Sequence, residues 1–404
     1  MVISKDKIKF ILASRWAFPY HQGGIPMHNH YLLDILNGKM NIGFISSKIN
    51  INKTYYVKKK IEFNGISNYL PVFFWRLIKN KSLQNGLRSF QDWQISKEMA
   101  RNLDYHSADV IEFMDIHSEG YVYLRRNAAS SRKTKVVIRS HTPWGLLRSF
   151  YLNKERKGYD GWWSIDREKF CFQNCDAITV PSMDLKERLI ELYNLPEEKI
   201  TTIPNIIDTN HFKPLPKIED NNSFNILHVG RFERPKGVIT VIKAFIEFAK
   251  INKNCKLIMV GQARGEAYED CIELLKKANL IERVEYPGFV SYEELPTYYA
   301  KVDLVIVASE IYESFSYTVA QAMACSKLVI ASKIGGIPET LNHGRCGFLF
   351  EPGKEDGLFN KLTYVYNNYD KLLNISKDAR DYAVSKYSQE ILTPIYKDYY
   401  NLQF

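Results

Sequence analysis

Short apolar runs rich in isoleucine and valine recur along the chain, separated by longer stretches in which apolar residues return every three or four positions. A run with no polar face suits a strand covered on both sides, and the periodic stretches suit the helices that cover it. The alternation predicts an α/β protein built on parallel sheets. In the first half, strands are expected at residues 8–13, 41–46, 109–113, 135–140, 177–180 and 200–203. A second set restarts the alternation at 224–229, 256–260, 284–286, 304–307, 328–331 and 347–350.

Between the two sets, residues 204–223 carry three prolines and a polar tail with no periodicity, as an interdomain connection does. A chain of 404 residues exceeds what one core usually organises. The expected layout is a Rossmann-like domain over 1–205, a linker over 206–223 and a second Rossmann-like domain over 224–385. A tyrosine-rich helical segment over 386–404 is expected to cross back to the first domain. Two doubly wound domains facing each other leave a cleft between the carboxyl ends of their strands, where ligands of such folds bind. Chemistry is therefore expected in strand-to-helix loops.

With 45% hydrophobic and 25% charged residues, the composition is that of an ordinary globular protein. The opening residues, MVISKDKIKFILASRW, interrupt a short apolar run with lysines, unlike a signal peptide. No stretch reaches the ~18 apolar residues of a membrane span, so a cytoplasmic location is expected. Six scattered cysteines fit a reducing compartment. Cys171 and Cys175 lie one helical turn apart but lack a second pair at zinc spacing, and they read as packed helix residues; no metal is expected.

The net charge of +10 is unevenly spread: residues 1–150 hold 23 Lys and Arg against 10 Asp and Glu, a net +13, which leaves −3 for the remainder. Aromatic and basic residues cluster in that half, at Tyr55, Tyr56, Lys58, Lys59 and Lys60, then at Phe73, Phe74, Trp75, Arg76, Lys79 and Lys81. Such a surface suits anionic lipid headgroups, which would make the protein peripheral on the inner face of the plasma membrane. It is equally the solvated basic face of a lysine-rich protein. No nucleic-acid module accompanies it, so nucleic acid is not an expected partner.

Two segments carry recognisable chemistry. HVGRFERPKG, residues 228–237, leads an apolar strand into a glycine turn at Gly230 and places Arg231 and Lys236 just before a helix. A guanidinium fork and a compact ammonium near free helix amides suit phosphate oxygens. The helix that follows turns Val238, Val241, Ile242 and Phe245 to one face, which fixes its start. ESFSYTVAQAMACSKLVIASKIGGIPE, residues 313–339, reads as a ligand-facing loop, a helix and a buried strand. Glu313 can accept hydrogen bonds from two neighbouring sugar hydroxyls. The amides of Ser316, Tyr317 and Thr318 open the next helix toward a distal phosphate, and Gln321, two turns along, offers an amide to a ribose hydroxyl pair. An exposed Arg and Lys in a turn, or a Glu at a helix start, is unremarkable alone; the two segments together point to a nucleotide diphosphate sugar as ligand.

These residues resemble the retaining glycosyltransferases of family 4 with the GT-B fold. The likeness lies in Glu313, Met323, Ala324, Gly335, Gly336, Pro338 and Glu339, in the Gly230–Arg231…Lys236–Gly237 loop, in Pro204, Asn205 and Asp208, and in residues 288–295. The chain departs from the family at Gln321, where a second glutamate is usual, and at Ser316 and Ser326, where glycine is common. The resemblance implies that the first domain binds the acceptor and the second the donor. It implies that Phe289 and Val290 meet the base through backbone atoms, that Gly23 and Gly24 form a loop against the donor phosphates, and that His141 stands near the donor sugar. His21 and His28 flank that loop; His106, His117 and His211 receive no role.

The implied activity is transfer of a sugar to a hydroxyl of a glycan or lipid-linked acceptor, with retained anomeric configuration, no cofactor and no metal. Catalytic roles fall to Glu313, His141, Arg231 and Lys236. A lysine- and isoleucine-rich composition hints at a bacterial cell-surface polysaccharide or glycolipid pathway. Two other readings stay open: a sugar-nucleotide epimerase, and a non-catalytic sugar-nucleotide-binding partner, the latter prompted by Gln321.

Overall fold

The computed structural model describes residues 8–16, 18, 23–37, 41–47, 62–66, 81–104, 108–127, 134–147, 159–216, 223–263 and 266–402. The basic and aromatic cluster at residues 55–60 and 73–79, His21 and His106 lie outside the described residues. The chain divides into two compact units, 1–204 with 393–404, and 205–392.

Unit 1 holds a seven-stranded parallel sheet of β1 (Ile8–Ala13), β2 (Ile42–Ser47), β3 (Glu62–Ile66), β4 (Ala108–Met114), β5 (Lys135–Arg139), β6 (Ala177–Val180) and β7 (Ile200–Thr202), in the order β3-β2-β1-β4-β5-β6-β7. Its helices include α1 (Gly24–Leu36), α2 (Lys81–Leu103), α3 (Tyr121–Asn127), α4 (Tyr159–Asn174) and α5 (Met183–Tyr193). Unit 2 holds a six-stranded parallel sheet of β8 (Phe224–Val229), β9 (Cys255–Val260), β10 (Val284–Gly288), β11 (Leu304–Val307), β12 (Leu328–Ser332) and β13 (Phe348–Phe350), in the order β10-β9-β8-β11-β12-β13. Around it lie α6 (Val238–Ile251), α7 (Glu266–Lys277), α8 (Leu295–Ala300), α9 (Tyr317–Ala324), α10 (Ile337–Thr340), α11 (Glu355–Asn367) and α12 (Tyr369–Tyr387). These are two doubly wound, Rossmann-like sheets.

All twelve expected strands form, none with an end moved by more than two residues. The expectation of six strands in the first sheet is corrected by β3, an edge strand of sequence EFNGI. Its mixed polarity and internal glycine hide it from a search for apolar runs.

Neighbours on a strand face opposite sides, and the second sheet uses both. Phe224 and Ile226 join the core under α6 and α11, while Leu227, Val305 and Val329 join the core under α9. Val238, Val241, Ile242 and Phe245 of α6 are fully buried, as their spacing predicts. Residues 205–216 are stitched into unit 2: Ile207 N donates to Tyr387 O at 2.8 Å, and Arg380 donates to the carbonyls of Phe212 (2.7 Å), Ala324 (2.6 Å) and Thr209 (3.0 Å).

The final described helix, α13 (Gln389–Leu402), passes from unit 2 to unit 1 at residue 393, with Pro394 beside the changeover. Its tyrosines then cover the first sheet. Tyr396 Oη donates to Pro204 O at 2.9 Å, Tyr400 Oη donates to the buried Glu112, and the Tyr400 ring meets Phe10 at 4.9 Å. Among the described residues, no helix is long and apolar enough to cross a membrane.

Candidate functional site

In each sheet the strand order reverses beside the first strand, between β1 and β4 and again between β8 and β11. Loops leaving the carboxyl ends of two such strands turn opposite ways and leave a crevice. In unit 2 those loops carry the two segments singled out from sequence.

After β8 the chain makes a single tight helical turn over Arg234–Lys236 and enters α6 through Gly237. Gly237 has φ +68°, and a Cβ there would sit 1.8 Å from Ala308 O, so only glycine lets the two loops touch. The approach brings Lys236 Nζ to 2.5 Å from Glu313 Oε1. The Ser309 hydroxyl donates to the same oxygen. Glu310 N donates to Pro235 O at 2.9 Å, and Thr240 Oγ1 donates to Glu310 Oε1 at 2.6 Å, clasping the second loop to the start of α6.

From the other side, Gly336 N donates to Glu313 O at 2.8 Å, and a Cβ on Gly335 (φ +55°) would meet that oxygen at 2.2 Å. Three chain segments thus fix Glu313. Its side chain is 14% exposed and that of Lys236 27%, sheltered yet open to a ligand.

Ser316 caps α9, its hydroxyl accepting from Val319 N, and Tyr317 and Thr318 form the first helical positions, whose amides have no partner within the helix. Gln321 lies in the same helix but is only 6% exposed, and its Oε1 accepts from Tyr299 Oη at 3.2 Å. Arg231 stands on the loop with Lys236, but its guanidinium is 67% exposed and pairs with Glu233 at 3.0 Å. The structure therefore brings Lys236 and Glu313 together and leaves Arg231 on the rim. Phe289 is exposed and Val290 half-buried just after β10, whose last residue, Gly288, has φ +78°.

In unit 1, Gly23 (φ +124°) and Gly24 are exposed at the head of α1. His141 follows β5 and is buried. Its backbone N donates to Asp115 Oδ2 at 3.0 Å, as does Ser140 Oγ at 2.7 Å. Burial pushes Asp115 up to about 6. Burial, helped by the charge of Arg139, holds His141 well below the ordinary histidine range, so its imidazole is neutral. The His28 ring packs edge-on against it at 4.9 Å. His117 is held by Asp92, Nδ1 to Oδ2 2.9 Å, and His211 stacks on Tyr292 at 4.5 Å, so both serve local packing.

Sequence reasoning missed Ser309, Glu310 and Thr240 in unit 2, although the first two stand four and three residues before Glu313 in its loop. In unit 1 it missed Asp115 and Glu168. Glu168 accepts from Trp144 N (2.7 Å), Gly145 N (3.1 Å) and the Tyr193 hydroxyl, and burial with the nearby charge of Asp115 pushes it up to about 8.

Two Rossmann-like units, with a cation and a carboxylate joined at the switch point of the second, define a GT-B architecture. Residues 210–382 match the family described as Glycosyl transferases group 1, and residues 74–211 match Glycosyltransferase Family 4. The chain belongs to the family 4 glycosyltransferases.

Among its relatives, lipopolysaccharide 1,2-N-acetylglucosaminetransferase of Salmonella typhimurium is 31% identical over 230 residues, 54% of this chain and 60% of that protein. N-acetyl-alpha-D-glucosaminyl L-malate synthase of Bacillus anthracis is 26% identical over 57% of this chain and 61% of that protein. The chain thus spans about three fifths of the length of the curated relatives it matches. Among solved structures, sucrose-phosphate synthase from Thermosynechococcus elongatus superposes with a TM-score of 0.80 at 18% identity, covering 98% of this chain and 99% of that one. Anabaena HepE, in complex with UDP and glucose, gives 0.74 at 19% identity with the same coverage. At such identities the superpositions speak for the fold alone.

Proposed function

We propose that this protein transfers a sugar from a nucleotide diphosphate sugar to a hydroxyl of a glycan or lipid-linked acceptor, retaining the anomeric configuration. The observation that carries the reading is the Lys236–Glu313 pair at the carboxyl ends of β8 and β11. Lys236 would take the charge growing on the departing diphosphate, helped by Arg231 and by the first amides of α9, while Glu313 orients sugar hydroxyls. Lys236 and Arg231 supply the positive charge that a divalent ion gives other transferases, so turnover is expected to survive a chelator. His141, neutral and buried at the end of β5, would offer a hydrogen bond to the sugar or phosphate. The relatives' printed activities, N-acetylglucosamine transfer among them, support a role in bacterial surface polysaccharide or glycolipid synthesis. A peripheral site on the inner membrane face is part of the same proposal and draws on the basic first half.

Thermal shift across a panel of nucleotide sugars, followed by mass spectrometry of products with candidate acceptors, tests it. A donor at 100 times its Kd stabilises by about 2.7 kcal/mol. If no nucleotide sugar raises the melting temperature, the reading fails.

A second reading, a non-catalytic sugar-nucleotide-binding partner, draws on Gln321, whose Oε1 is already engaged by Tyr299. An inert parent and a Gln321→Glu variant with large activity would favour it. An epimerase would convert the donor without any acceptor present.

A further inference from the structure

Beneath the loop that holds Lys236 lies a buried histidine with one idle nitrogen. His228, on β8, is 2% exposed. Its Nδ1 is 3.1 Å from Ile306 O. A carbonyl only accepts, so Nδ1 carries the hydrogen and Nε2 bears a lone pair. Among the described residues, Nε2 has no hydrogen-bond partner. Buried polar atoms are nearly always paired, and an exception calls for a missing partner.

The surroundings say where that partner enters. A Cβ on Gly230 would lie 3.4 Å from His228 Nε2 and 4.0 Å from Lys236 Cβ, so the absent side chain leaves room between the imidazole edge and the stem of Lys236. Burial, together with the charge of Lys236, pushes His228 down to about 4, so near neutral pH the ring is uncharged and Nε2 accepts. What this corner takes is a group that is anionic, for Lys236, and carries a hydrogen, for Nε2. A singly protonated terminal phosphate is both.

We propose that His228 is a further ligand-binding residue, its Nε2 accepting the hydrogen of the protonated terminal phosphate of a bound diphosphate while Lys236 pairs with the charge. This rests on the reading of the Lys236 loop as a diphosphate site. In the transfer reaction the acceptor hydroxyl loses its proton as its oxygen bonds the sugar carbon, and the sugar–phosphate C–O bond breaks. The proton passes to the leaving phosphate oxygen, so the product diphosphate is born with the hydrogen that His228 receives. No other reactant is needed.

Inorganic pyrophosphate, which keeps one hydrogen near neutral pH, is the probe, titrated calorimetrically into the full chain. His228→Phe should weaken binding by about 10- to 100-fold, the worth of one hydrogen bond to a charged ligand. Gly230→Ala should do the same, because its methyl would rest on Nε2 at ordinary contact distance while His228 itself stays in place. With ¹⁵N-labelled histidine, the Nε2 resonance of His228 should shift on binding. Tight pyrophosphate binding that neither variant weakens, with no shift at Nε2, overturns the proposal and leaves the diphosphate site standing. A parent chain that binds no pyrophosphate overturns both.

Discussion

Glu313→Gln removes the charge of this carboxylate while keeping its size, and so isolates what the Lys236 pair contributes. The pair spans 2.5 Å with 14% and 27% of the two side chains exposed. A charge-assisted bond in such a setting is worth about 1.5–3 kcal/mol gross of relaxation. The amide oxygen of the variant can still accept from Lys236 and Ser309, so stability should fall by only about 1 kcal/mol, a drop of roughly 2–4 °C in the melting temperature of a unit of this size. Under the proposed role, in which the carboxylate orients the sugar as the transition state forms, turnover should fall far more, on the order of 100-fold or more.

The assay is release of nucleoside diphosphate from whichever donor the thermal panel selects, run beside thermal unfolding. Lys236→Met supplies the other edge of the cycle. Because the two residues form one unit, the double variant should lose little more than the worse single, with a coupling in the range of about 0.5–3 kcal/mol. A Glu313→Gln enzyme within about threefold of the parent in kcat/KM, or strictly additive losses, would show that the pair only holds the loop.

Arg231→Ala should also cut turnover by something on the order of 100-fold while leaving the melting temperature nearly unchanged, since its guanidinium is 67% exposed; unaltered steady-state kinetics would refute its role. Gly335→Ala forces a Cβ to within 2.2 Å of Glu313 O at φ +55° and should lower the urea midpoint by the equivalent of about 2 kcal/mol or more; full stability would refute the clash. The folded Glu168 carboxyl keeps its proton up to about pH 8, against an ordinary glutamate value of 4.5, because burial penalises its charged form. The native state therefore binds the extra proton across that interval, and stability should fall as pH rises through it, by up to about 1.4 kcal/mol per pH unit. Glu168→Gln should flatten that fall in a pH series of urea midpoints; an unchanged slope would count against the buried proton.

Much of the fold was legible because its strands are covered on both faces, which writes them as largely apolar runs, unbroken in β11. β3 was not, since an edge strand need not be apolar throughout. The Lys236–Glu313 meeting was legible only as two loops, each with a charge; nothing local states that Gly237 and Ala308 touch, because that contact joins residues 71 positions apart. Arg231 and Gln321 show the limit of reading roles from residue type. One turns outward to Glu233 and the other is drawn to Tyr299, and both partners depend on packing that no spacing rule encodes. The buried acids of unit 1, Asp115 and Glu168, left no trace in the pattern, because a carboxylate inside a fold is recognisable only once its donors have been brought to it.

The tyrosines of α13 that cover the first sheet are synthesised roughly 190 residues after that sheet's last strand. At a translation rate of about 5–20 residues per second, a nascent chain waits on the order of 10–40 s with Phe10 and Glu112 lacking their lid, while everything needed for unit 2 leaves the ribosome in one uninterrupted piece. Maturation therefore runs against the order of the message: the half begun first is closed last, and a polypeptide cut near residue 204 would expose a raw apolar flank to chaperones and proteases.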